Sequence, residues 1–126
     1  MKILIFGNHL IKEDNLIIKI LPKLKKEFPN IEFKHMDPTE NLEAEISDEG
    51  KLRIIDVVES IDKVIVIKDI KQLKNEKVYS MHDFDLGFNL KLLEKIGKLR
   101  DVEIIGVPQD INEEKAFLEV SSIINK

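Results

Sequence analysis

The sequence contains no cysteine, which excludes disulfides, thiolate metal sites and cysteine nucleophiles. It also fits a reducing compartment, so a cytoplasmic protein is expected. No apolar run approaches the ~20 residues that a membrane span needs. The opening Met1-Lys2-Ile3-Leu4-Ile5-Phe6-Gly7 carries one positive side chain and a short apolar run with no cleavage-like site, so it reads as a first strand. Arginine is nearly missing, with Arg53 and Arg100 alone, and the net charge is −4. Neither favours binding to nucleic-acid phosphates. Repeats, low-complexity stretches and an interdomain linker are also lacking. What remains is a chain of 126 residues, 43% hydrophobic and 35% charged. That is enough for one core, and a single domain over 1–126 is expected.

The apolar pattern alternates between strand-like and helix-like stretches. Ile3–Phe6 is a short β-branched and aromatic run stopped at Gly7-Asn8. Glu13-Asp14-Asn15 offers capping groups ahead of Leu16, Ile17, Ile20, Leu21, Leu24 and Phe28, which recur at helical spacing. Pro22, inside that pattern, is expected to kink the helix or split off its first turn. Ile31–Met36 mostly alternates apolar and polar residues, as a half-buried strand does, and His35 reads there as structural. The charge run from Glu40 to Glu49 reads as a solvated surface. The spacing of Leu52, Ile55, Val58 and Ile61 predicts a second helix. Val64–Ile67 is a further strand, Ile70–Glu76 a loop and Val78-Tyr79 a short extra strand. Leu86, Leu90, Leu93 and Ile96-Gly97 predict a helix with a glycine at its end. Val102–Val107 is a strand stopped by Pro108, and Ala116–Ile124 a last helix.

Such alternation predicts an α/β fold, a mainly parallel sheet with helices on both faces. In such sheets ligands bind at the carboxyl ends of the strands. The segments expected to leave those ends are Gly7–Asp14, Asp37–Asn41, Lys68-Asp69 and Pro108–Asp110, with Ser80–Asp85 entering a helix. Asp14 is either a helix cap or a carboxylate aimed at a metal or reacting centre. His82, close to Asp83 and Asp85, is either a solvated loop residue or a metal ligand or general base. Asp69, after Lys68, is either part of a charged strand end or a second acid. Two carboxylates and a histidine brought together would form a hard oxygen and nitrogen site suited to divalent zinc, nickel or cobalt. The further glycines of a dinucleotide fingerprint are missing after Gly7, and so is a phosphate loop.

These motifs, taken in order, resemble the endopeptidases that mature nickel–iron hydrogenases. The resemblance rests on Gly7-Asn8, the four residues His9–Lys12 and the acids Glu13-Asp14; on Asp37 after the second strand; and on Asp62–Asp69 around an apolar strand. It continues through Ser80-Met81-His82 ahead of a Leu-rich helix and Ile104-Ile105-Gly106-Val107-Pro108-Gln109-Asp110. It covers nearly the whole chain. It implies a three-layer sandwich around a twisted five-stranded sheet with one antiparallel strand. It also implies removal of a C-terminal peptide from the nickel-loaded precursor of a hydrogenase large subunit. Asp14, Asp69 and His82 then correspond to the residues that contact nickel and serve catalysis. The nickel belongs to the substrate, so no tightly bound cofactor is expected, and zinc or cadmium would substitute at the site. The precursor is the implied partner, with no nucleic acid and no membrane span. Departures are Asn15 and Ile17, and Pro38-Thr39, where the family has glycines. In a gapless match, Lys68 occupies the acid position and Asp69 follows one step late. The alternative is a non-catalytic homologue that binds the precursor or another hydrogenase subunit.

Overall fold

The computed structural model describes residues 1–6, 15–36, 41–58, 61–68 and 90–125. Five strands form one sheet: β1 (Lys2–Phe6), β2 (Glu32–Met36), β3 (Lys51–Val58), β4 (Ile65–Ile67) and β5 (Asp101–Pro108), in the spatial order β2-β1-β3-β5-β4. The first four strands of that order are parallel to one another, and β4 runs antiparallel to β5. Helix α1 spans Asn15–Glu27, residues 90–95 form α2, and α3 spans Glu113–Ile124.

The sheet is buried on both faces. On one side, Leu4, Phe6, Met36, Leu52, Ile54, Ile67 and Ile104 pack with Leu90 and Leu93 of α2. On the other, Ile3, Ile5, Phe33, Ile55, Val57, Ile105 and Val107 pack with Ile17, Ile20 and Leu24 of α1 and Ala116 and Val120 of α3. Each fully buried Ile or Leu contributes roughly 1.5–3 kcal/mol, so the central strands hold the fold together.

The expected second helix is instead β3. The spacing of Leu52, Ile55 and Val58 was misleading because a strand covered on both faces loses its alternation. Leu52 and Ile54 enter one core while Ile55 and Val57 enter the other. A step of three along this strand therefore changes face and only imitates a helical stripe. Pro22 does not split α1, which runs unbroken from Asn15 to Glu27. That proline is exposed, and the carbonyl that it leaves without an N–H partner lies one turn earlier. His35 is exposed on the edge strand β2, so it is not part of the core. The expected loop over Ile70–Glu76 and the short strand at Val78-Tyr79 lie outside the described residues.

The helix ends obey local chemistry. Gly97 takes φ 82° after α2. The Lys98 N–H donates to Leu93 O at 3.0 Å and the Gly97 N–H to Glu94 O at 3.1 Å, a Schellman closure. Asn112 caps α3, its Oδ1 accepting from the N–H groups of Glu114 at 2.9 Å and Lys115 at 3.2 Å. At the other end of α3, Arg53 Nη2 donates to Ile123 O at 3.4 Å while its Nε donates to Glu103 at 2.8 Å. A cation suits that helix terminus.

The stretch 41–50 is more than a solvated run. Glu43–Glu45 forms a 3-10 turn, and Leu42 beside it is buried. Glu45 accepts from the Lys2 and Lys34 ammoniums at 2.6 Å each, with its own side chain only 7% exposed. The hydrogen bond from Lys2, then that from Lys34, holds the Glu45 carboxyl below its ordinary range. Lys2 is raised in turn, chiefly by its hydrogen bond to Glu45. Lys98 pairs with Glu43, which ties this stretch to the end of α2 as well.

Candidate active site at the carboxyl edge of the sheet

Strand order decides where a ligand can sit. The chain leaves β1 through α1, on one face, to reach β2 on one side. It leaves β3 toward β4 and β5 on the other side, with α2 on the opposite face. The connections diverge between β1 and β3, so a crevice is expected beyond the carboxyl ends of those two neighbours.

One carboxylate of the described residues stands there. Asp56 lies near the end of β3, one step beyond the Ile5–Ile55 pair that joins β1 to β3. It is 3% exposed. Its Oδ1 accepts from the Val57 N–H at 2.9 Å. Acids are rarely buried this deeply without partners, because leaving water costs an ionised carboxylate heavily. Strand alternation puts Asp56 on the face of Leu52 and Ile54, the side that α2 covers.

Across the sheet at the same level, Asp56 pairs with Gly106 of β5, and Gly106 pairs with Ile65 of β4. Phe6, fully buried, ends β1 on the same face. The row through Asp56 thus has an aromatic ring on the β1 side and no side chain on the β5 side.

Asp56 is not among the site residues expected from the sequence, because the spacing of Leu52, Ile55, Val58 and Ile61 places it inside a helix. The signal was present: an acid within the apolar run Leu52–Val58 is out of character for a buried strand unless it has a task.

Lys68 does not leave the sheet where it was expected. Because β4 is antiparallel, Ile67 pairs with Ile104, and Ile104 is level with Ile54 and Leu4. The strand therefore runs away from the carboxyl edge, and Lys68, which is exposed, follows on that course. Asp69 itself, together with Asp14, Asp37 and His82, lies outside the described residues. Among the described residues no group of three or more metal-ligating side chains occurs, and no helix is long and apolar enough to cross a membrane.

No protein-family profile and no curated protein matches the sequence. Solved structures do match. Hydrogenase maturating endopeptidase HybD from E. coli superposes with a TM-score of 0.68 at 18% identity, over 99% of this chain and 93% of that one. The [NiFe] hydrogenase maturation protease HybD from Thermococcus kodakarensis gives 0.68 at 19%, over 99% and 97%. An endopeptidase from Escherichia coli, solved in solution, gives 0.71 at 18%, over 99% and 93%. The α/β sandwich described above is therefore the fold of the hydrogenase maturation endopeptidases.

Proposed function

We propose that this protein is a hydrogenase maturation endopeptidase, which recognises the nickel-loaded precursor of a nickel–iron hydrogenase large subunit and removes its C-terminal peptide. The observation that carries the reading is the end-to-end match of its fold to endopeptidases of that name. The ordered motifs from Gly7-Asn8 to Pro108-Gln109-Asp110 support it, and so does a buried acid at the topological switch point.

Asp56, in place of Asp69, is proposed as the strand-borne acid, acting with Asp14 and His82. Carboxylate oxygens and an imidazole nitrogen suit nickel with positions left open. The nickel arrives with the precursor, so a site of few ligands serves to read it and need not retain it. The cation polarises a nearby peptide carbonyl. Water adds to the carbonyl carbon, the C–N bond breaks, and the departing amine takes up a proton. No cysteine competes as nucleophile.

Incubation with a nickel-loaded precursor, followed by the mass of the large subunit, tests the proposal. Loss of a C-terminal peptide is expected. A stable complex without a mass change would instead make the protein a non-catalytic binder of the precursor.

A further inference from the structure

Helix α1 has two faces of opposite chemistry. Ile17, Ile20 and Leu24 are buried against the sheet, while Lys19, Pro22, Lys23, Lys25 and Lys26 are exposed. Lys19, Lys23 and Lys26 fall at helical spacing on the outer face, so they form one row about 10 Å long. The helix carries four lysines and one glutamate in a chain whose net charge is −4. Four lysines away from this helix are matched by acids: Lys2 and Lys34 meet Glu45, Lys51 meets Glu49 and Lys98 meets Glu43. On α1, Lys23 reaches Glu113 of α3 at 3.9 Å, and Lys19, Lys25 and Lys26 make no salt bridge among the described residues. Like charges three and four residues apart destabilise a helix, and an interior proline removes one of its hydrogen bonds. Because this face is exposed, packing within the fold does not offset either cost. Such breaks of local rules gather at functional surfaces. The helix joins two parallel strands, so it starts beside the carboxyl edge and the lysine row leads away from that edge.

We infer that the outer face of α1 is a docking surface for an acidic segment of a protein partner. In the reading proposed above, on which this inference rests, that partner is the hydrogenase precursor, held along α1 while its metal centre meets the carboxyl edge. A row of ammoniums attracts carboxylates over about a Debye length, roughly 8 Å at physiological salt. Charges of this kind speed the encounter and make it dependent on salt. Nucleic acid is disfavoured as the occupant, because the rest of the chain is acidic and the face has no arginine to fork onto phosphate.

The test measures binding and shortening of the nickel-loaded precursor at several salt concentrations, for the parent and for Lys19→Gln, Lys23→Gln and Lys26→Gln combined. Glutamine has nearly the helix propensity of lysine, so the triple variant is expected to melt near the parent. Its Kd and KM are expected to rise about tenfold with kcat unchanged, and the weakening by salt expected of the parent is expected to flatten. Polyglutamate is expected to compete with the precursor on the parent, and duplex DNA is not. Lys115→Gln, at an exposed position on α3, is expected to keep the parent Kd. Should the triple variant fail to fold, salt dependence and polyglutamate competition on the parent decide the matter. Weaker binding by the triple variant with no shortening by the parent would remove the endopeptidase reading and support the docking surface. A parent that neither binds nor shortens the precursor would overturn both. Shortening by the parent with equal affinity in a folded triple variant would overturn this inference alone, as would competition by duplex DNA equal to that by polyglutamate.

Discussion

Asp56 on β3 pairs in register with Gly106 on β5, so a buried acid and a missing side chain share one row of the sheet. That row lies beside the point where the chain's connections diverge, where ligands bind in sheets of this kind.

The first expectation separates two acids. Asp56→Asn keeps the shape of the side chain and removes the charge that a cation would meet. Precursor cleavage should fall by on the order of 10- to 100-fold or more, the loss typical of changes around a bound metal. With Asp56 as the acid that meets the cation, Asp69→Ala should cleave at the parent rate, and so should Lys68→Ala, because β4 carries Lys68 away from the carboxyl edge. Rates by mass spectrometry of the large subunit check both. Loss in Asp69→Ala with activity in Asp56→Asn would reverse the assignment.

Most of the sheet could be read from residues. Ile3–Phe6 and Val102–Val107 are short apolar runs with clear stops, and both are strands. The Gly97 stop of α2 and the last helix were equally legible. Leu52–Val58 was not, because burial on both faces removes the alternation that identifies a strand. The same error concealed Asp56. The Lys68-Asp69 register question arose from treating every strand as ending at one edge. The resemblance implies one antiparallel strand, and the pairing of Ile65 with Gly106 and Ile67 with Ile104 shows that it is β4; no local propensity encodes which strand is reversed.

A second expectation concerns pH. The folded Glu45 carboxyl is held below its ordinary 4.5 by the Lys2 and Lys34 hydrogen bonds. Its contribution to stability is therefore present above that value and is lost as pH falls through the lower folded one. Glu45→Gln should melt below the parent at neutral pH, and the gap should close in acid below about pH 4.5. Lys2, raised above 10.5, contributes below that value, and its share is lost as pH rises through the higher folded one. Melting curves of both proteins across acid pH give the answer; a gap that widens in acid would contradict the assignment.

A third expectation uses two glycines in the same backbone region. Gly50 has φ 78°, and a Cβ there would lie 2.9 Å from Arg100 Cγ and 3.2 Å from its backbone nitrogen. The Gly50 carbonyl also accepts from the N–H groups of Arg100 at 2.8 Å and Asp101 at 3.0 Å. Gly97 has φ 82° and open space. Gly97→Ala should cost about 1–2 kcal/mol for conformation alone. Gly50→Ala should cost more, since it adds a steric clash to the same strain. Denaturant unfolding of the two variants ranks them, and equal losses would show that Arg100 yields freely.

Ser121 gives a fourth expectation. Its Oγ is buried on α3 with no hydrogen-bond partner among the described residues. An unmatched buried hydroxyl costs about 1–3 kcal/mol. Ser121→Ala should therefore leave stability unchanged or raise it by about 1 kcal/mol, as read from denaturant midpoints. A clear loss of stability would mean that the hydroxyl has a partner.

The carboxylate at position 56 is proposed to read the metal centre of a hydrogenase precursor. The most direct measurement incubates the same nickel-loaded precursor with the parent protein and with Asp56→Asn, following the mass of the large subunit over time. The parent is expected to shorten the precursor by a C-terminal peptide and Asp56→Asn to leave it at full length. A full-length precursor with both proteins, or equal shortening by both, would contradict it.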